Sequence, residues 1–291
     1  MIAEKVYIIG TGMLAINCAK YAKEQGLPVI LFDMGKKISA SVMLEKQARM
    51  KEVPYYHKSP GEVFALLCQE QKNILLVSAI NEVIVPGKVL EKKSITAINL
   101  HQALLPAHPG RNAEVWAIFE QDDVSGITWH IMEPKVDKGE ILIQKEIPLD
   151  HTATSFSLFH QQILCAFDAF KEIFESLIKG TYKSIPQKPD PYAVYHYSKD
   201  IPNEGWLTLE WSAAKISAFL RSMDYGVLKI LKPPRICLND QVFEWKKYEI
   251  YSSVNRKEQE VTVKENGEID ITIRKENMEI ILKNCKHKEE K

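Results

Sequence analysis

Two periodicities share this chain. Short apolar runs near the N-terminus alternate with stretches of helical spacing, as a buried parallel sheet wrapped by helices reads. Residues 5–9 and 29–32 form such runs, with a helix over 13–25 between them closed by Gly26. Helices are predicted over 41–50 and over 60–70, the second with Ser59 as N-cap and Pro60 at its first position. Residues 74–78 and 95–101 read as the next strands, 114–120 as a helix, and 126–132 and 141–147 as further strands. Leu158, Phe159, Ile163, Phe167, Phe170, Phe174 and Leu177 then recur at helical spacing, from Ser155 as N-cap to a stop at Gly180. We read that stripe as a core face packing on the sheet. Strand and helix alternating in this way predict an α/β fold with a doubly wound, mostly parallel sheet.

Beyond residue 180 the pattern changes. Pro186, Pro189 and Pro191 favour an extended linker. We place the domain boundary there, giving domains over 1–188 and 189–291. A helix is predicted over 213–222. Val261 and Val263 alternate before Asn266-Gly267, followed by Ile269, Ile271 and Ile273, which is a hairpin signal. The second domain is therefore expected to be small and β-rich.

Composition narrows the function. Acidic and basic residues balance to zero formal charge, which argues against a broad field for gathering nucleic acid. No apolar run approaches a membrane span, and the first residues lack a signal-peptide layout. Cys18, Cys68, Cys165, Cys237 and Cys285 match neither a zinc site nor a disulfide framework. The first three are expected as buried reduced thiols, in a cytoplasmic protein without a metal.

The chemistry gathers around residue 100. Asn99 and His101 stand two apart at a strand end, so both should leave the same face. A polar pair closing a buried strand, before Leu104-Leu105-Pro106, is where an α/β enzyme places its chemistry. Asp137, from a later loop, would complete an amide, imidazole and carboxylate set. Taken singly, His101 reads as an ordinary strand-end histidine and Asp137 as a turn residue. The surrounding series is more specific. It comprises Pro109-Gly110-Arg111-Asn112, Trp116-Ala117-Ile118, Gly126-Ile127-Thr128-Trp129-His130 and Asp137-Lys138-Gly139-Glu140-Ile141-Leu142. In this order and spacing it resembles the formyltransferases that use 10-formyltetrahydrofolate. That family acts on glycinamide ribonucleotide, methionyl-tRNA or the amino group of nucleotide-linked sugars.

The resemblance implies a Rossmann-like sheet and an acyl transfer from folate to an amine. The amine must attack unprotonated, an oxyanion must be stabilised, and a proton must reach the leaving nitrogen. His101 is implied to bind the oxyanion and assist proton traffic, Asn99 to orient the reacting groups, and Asp137 to hold His101 and accept the amine proton. Which of them is the immediate base stays open, because coupled groups do not titrate separately. Residues 80–86 resemble the loop that holds the pterin through main-chain groups. Ile80, Asn81, Glu82, Val83 and Ile84, with Leu105 and Asp137, are therefore the expected folate contacts. Thr128 and His130 share a strand face and would support His101.

For the acceptor, Tyr195-His196-Tyr197, Gly205-Trp206-Leu207, Trp211-Ser212-Ala213 and Phe219-Leu220-Arg221-Ser222 resemble a region shared by the tRNA and sugar branches. Gly110-Arg111-Asn112 looks like the sugar branch. Gly110, Arg111, Asn112 and Arg221 are thus the expected substrate contacts. Arg221 is the candidate for a diphosphate, with Lys232 or Arg235 as substitutes. Trp206, Trp211 and Tyr225 either stack a base or fill a core. The partner implied is a nucleotide-linked amino sugar for surface glycan synthesis, with a homodimer as the expected assembly. Methionyl-tRNA is the alternative, weakened because only Lys36 and Lys37 follow Asp33 where that branch carries a basic loop.

A reading from another class competes. Gly10-Thr11-Gly12-Met13-Leu14-Ala15 follows a strand and opens a helix, and Asp33 ends the next strand. That is a dinucleotide-binding pattern, which makes an NAD-dependent oxidoreductase the alternative, although any tight strand-to-helix turn produces the same glycines.

Overall fold

The computed structural model describes residues 1–36, 38–188, 190, 191, 193–228, 230–265 and 269–288. The chain divides into two compact units. Met1–Gly110, Gly126–Ile147 and His160–Tyr195 make the first; Arg111–Ser125, Pro148–Phe159 and His196–Lys291 make the second.

The first unit is built on seven strands: β1 (Lys5–Gly10), β2 (Val29–Asp33), β3 (Tyr55–His57), β4 (Ile74–Ala79), β5 (Ile95–His101), β6 (Val124–Ile131) and β7 (Ile141–Pro148). Their order is β3-β2-β1-β4-β5-β6-β7, parallel from β3 to β5 and antiparallel from β5 to β6. This is the expected doubly wound α/β sheet. Alternation along the strands supplies both of its faces. Val6, Ile8, Leu31, Leu75, Val77, Ile98, Leu100, Ile127 and Trp129 join one core with α1 (Gly12–Glu24) and the long α6 (Ser155–Lys179). Tyr7, Ile9, Phe32, Ile74, Leu76, Ile95 and Ala97 join the other with α3 (Pro60–Gln69) and α4 (Gly87–Leu90). The aromatic stripe of α6 is core: Phe170 and Phe174 are buried beside Tyr21, and Trp129 Nε1 donates to Ala166 O at 2.9 Å.

Several local expectations change. The helix placed at 41–50 is α2, Ile38–Met50. Ser155 is not the cap of α6. Its hydroxyl donates to Ser222 O at 2.6 Å, and Thr154 Oγ1 accepts the Ser157 N–H. Ser59 does cap α3, in a full capping box with Glu62. Cys18 is buried, but Cys68 and Cys165 are only partly so.

The second unit holds α5 (Ala113–Phe119), β8 (Trp206–Leu207), α7 (Ala213–Ser222), β9 (Arg235–Leu238), β10 (Gln241–Glu244), β11 (Lys247–Glu265) and β12 (Ile269–Lys288). The sheet runs β11-β12-β10-β9-β8. Phe219, Ile236, Phe243, Trp245, Ile271, Ile273, Ile280 and Leu282 fill its core. The two long strands bear out the β-rich reading, while the Asn266-Gly267 turn lies outside the described residues.

Candidate active site

β5 ends in the middle of the sheet with an antiparallel partner, and that register builds the site. Asn99 pairs with His130 and His101 with Thr128, so four polar side chains leave one face in two facing pairs. The loop between β6 and β7 then returns Asp137 to them.

The geometry is compact. His101 Nδ1 lies 3.6 Å from Asp137 Oδ2, and His130 Nε2 lies 3.6 Å from Asp137 Oδ1. The Gly110 N–H donates to Asp137 Oδ2 at 2.9 Å. His101 and Asp137 are 4% and 5% exposed, so these charges act in a low dielectric. Hydrogen-bond logic assigns the protons. His101 Nε2 is 2.9 Å from His108 O, which can only accept, so Nε2 donates. His130 Nδ1 likewise donates to Ile131 O at 2.8 Å. Its Nε2 is then free to accept from Asn99 Nδ2 at 3.2 Å. His130 therefore orients the Asn99 amide and also faces Asp137, the partner of His101.

Burial pushes the His101 pKa below its ordinary value, with the Asp137 charge opposing and His130 adding to the effect. Burial alone would raise the Asp137 carboxyl. His130, His101 and the Gly110 N–H outweigh it, and the net direction is down. A carboxylate beside a neutral imidazole is the resulting resting pair.

Thr128 serves the loop that follows His101. Its hydroxyl donates to Ala103 O at 2.7 Å and accepts the Leu105 N–H at 3.1 Å. Gln144 Nε2 donates to Leu105 O at 2.9 Å. Gln162, fully buried on α6, donates to Gln102 O at 2.7 Å and Gly126 O at 3.1 Å. Sequence reasoning missed both glutamines, since nothing near them in the chain signals a distant carbonyl.

Residues 80–86 follow β4, the parallel neighbour of β5, with Ser78 paired to Asn99. Ile80 sits at φ 55° and its carbonyl accepts from Thr11 N and Oγ1, both at 3.2 Å. Asn81 folds back, donating to Val83 O at 2.6 Å and accepting the Val83 N–H at 3.1 Å. Ile84 is exposed and Leu105 buried. The remaining predicted contacts belong to the second unit. Arg111 N donates to His196 O at 2.9 Å, and Asn112 precedes α5 at φ 56°. Arg221 donates to Ala153 O at 2.8 Å and lines a cavity of about 360 Å³ with His151, Thr152, Ser217 and Tyr248. Trp211 packs half-buried against the core, Tyr225 is buried, and Trp206 lies beneath the Arg235 guanidinium at 4.2 Å.

The dinucleotide-like turn is accounted for by packing. A Cβ on Gly10 would sit 1.8 Å from Ala79 O, so the glycine is required by the chain beside it. Asp33 is consumed internally, accepting from Gly35 N at 2.7 Å and Tyr55 OH at 2.8 Å.

An imidazole, a carboxylate and an amide gathered beside the end of β5 are a set suited to acyl transfer. Comparisons with known proteins specify the family. The formyl transferase family matches residues 32–164. GDP-perosamine N-formyltransferase of Brucella melitensis biotype 1 is 30% identical over 183 residues, covering 62% of this chain and 68% of that protein. Methionyl-tRNA formyltransferase of Ligilactobacillus salivarius is 29% identical over 150 residues, covering 51% and 46%. The crystal structure of the N-formyltransferase from Helicobacter canadensis with folinic acid and dTDP-3-aminofucose superposes with a TM-score of 0.73 at 18% identity, covering 97% and 99%. That last likeness is one of fold. The chain belongs to the formyltransferase family, which displaces the oxidoreductase reading.

Proposed function

We propose that this formyltransferase acts on the primary amine of a nucleotide-diphosphate-linked amino sugar, with 10-formyltetrahydrofolate as the formyl donor. The observation that carries the reading is the buried meeting of His101, His130 and Asp137 beside Asn99, in a chain related to an enzyme named for GDP-perosamine.

When bound, the folate supplies the formyl group, and the residues of this chain do the rest. The loop over 80–86, at the carboxyl end of β4, suits its pterin: Asn81 spends its side chain on the loop itself, so recognition falls to main-chain groups and to Ile84 and Leu105. His101 stabilises the developing oxyanion. Asn99, its amide turned by His130, keeps its carbonyl oxygen for the amine. Asp137 and His101 act as one titrating pair that takes the amine proton, directly or through water, and passes it to the leaving folate nitrogen as its bond to the formyl carbon breaks. Gly110, Arg111 and Asn112 contact the sugar, and Arg221 the diphosphate. The catalytic residues lie within 1–188, with 189–291 as the smaller domain. The reading takes a homodimer as the assembly and not tRNA as acceptor. Five unpaired cysteines accord with a reducing cytoplasm.

The test is an assay of the purified protein with 10-formyltetrahydrofolate and a panel of UDP-, GDP- and dTDP-linked amino sugars beside methionyl-tRNA. Formylation of a nucleotide sugar is the expected outcome. Efficient formylation of methionyl-tRNA with no activity on any sugar moves the chain to the other branch.

A further inference from the structure

We propose that Gln187 is a positioning residue for formyl transfer: its side-chain amide sets the loop that presents Asp137. The inference rests on the formyltransferase reading for its kinetic consequence, although the contact itself does not.

Asp137 sits at φ 55°, in the left-handed region that side chains rarely adopt, so something outside the residue must hold it. The loop is clamped from two sides. On one, Gly139 lies so close to β6 that a Cβ would be 1.8 Å from Ile131 O, and Ile131 N donates to Glu140 O at 2.9 Å. On the other runs the proline-rich stretch that the sequence presents as a linker. Ile185 and Ile141 exchange main-chain hydrogen bonds at 2.8 and 2.9 Å, and Ser184 Oγ donates to Glu140. Gln187 closes the strap, its Nε2 donating to Asp137 O at 2.9 Å and Gly139 O at 2.8 Å.

Both acceptors are carbonyls, so only the amino side of the amide can face them. The other side, Oε1, is buried without a partner. An amide that leaves its acceptor unmatched inside the protein is committed through its two donors. Those donors fix the main chain on both sides of Lys138, and so the direction in which the Asp137 carboxylate leaves it. That carboxylate must reach His101, His130 and the Gly110 N–H together.

The experiment compares the full-length wild type with Gln187→Met, which keeps the length and loses the donors, and Gln187→Lys, which restores donors. In Gln187→Met we expect kcat to fall roughly ten- to a hundredfold, as misplacement of a reacting group does. Both Michaelis constants should stay within about twofold, and Gln187→Lys should regain much of the rate. The imidazole NMR signals of His101 and His130 should move in Gln187→Met and return in Gln187→Lys. Wild-type kcat in Gln187→Met, or equal losses in both variants tracking a lower thermal midpoint, overturns the inference. If the wild type transfers formyl to no acceptor, the functional reading fails instead. The imidazole signals then decide the role of Gln187 alone: no movement in Gln187→Met refutes it.

Discussion

His101 and Asp137 are both buried, and burial shifts their pKa values in opposite directions, each toward the neutral form. It pushes the imidazole toward neutrality, and it would do the same to the carboxyl were His130, His101 and the Gly110 N–H not there to favour the charge. A histidine with a lowered pKa stays unprotonated until the pH drops below its ordinary value of 6.5. Turnover that needs an unprotonated His101 should therefore hold through pH 6.5 and decline only on further acidification, which a kcat profile from pH 8 to 5 reads directly. His101→Ala and Asp137→Asn should each lower kcat about a hundredfold or more with folate binding nearly intact, by stopped-flow and equilibrium titration. Asparagine is the fair replacement at 137, because it tolerates the left-handed backbone there. Near-normal turnover in either variant refutes the assigned roles.

Elements hold together through single polar pairs as well as through apolar faces. Glu114 on α5 is buried, its carboxyl raised by that burial, and the Tyr225 hydroxyl just beyond α7 hydrogen-bonds to it. Tyr225→Phe strands the carboxyl and should cost about 1–3 kcal/mol in urea unfolding. Glu114→Gln keeps a partner for the hydroxyl and should cost less; equal losses would show that the pair contributes little. The elements legible in the sequence are those whose causes are local. Ser59 and Glu62 announce a capping box three residues apart, and α7 coincides with its apolar spacing. β3, β9 and β10 escaped because three or four residues give no period to read. Thr154 and Ser155 carry the same capping chemistry, and only the fold shows which hydroxyl faces the helix. The series around residue 100 exposed Asn99, His101 and Asp137 as candidates. It could not show that His130 turns toward Asn99, nor that Gln187 reaches back some fifty positions to Asp137.

At the scale of the molecule, zero formal charge leaves recognition to individual cations. Arg221, half-buried and hydrogen-bonded to Ala153 O, is the one assigned to phosphate. Arg221→Gln should raise the Michaelis constant for the sugar nucleotide more than it lowers kcat, since phosphates are bound alike before and during reaction. The same constant should respond mildly to salt between about 50 and 200 mM, where an acceptor held by many phosphates would weaken by orders of magnitude. A steep response, or a loss confined to kcat, speaks against the assignment. The antiparallel step from β5 to β6 divides what such a molecule can change. On the parallel side, the loop after β2 can lengthen at small entropic cost and take up new cargo. At β5 and β6, a slip of one residue would turn Asn99 and His101 into the core and leave Ile98 and Leu100 in their place. What such a sheet holds can vary with its loops, while what it does to its cargo is bound to strand register.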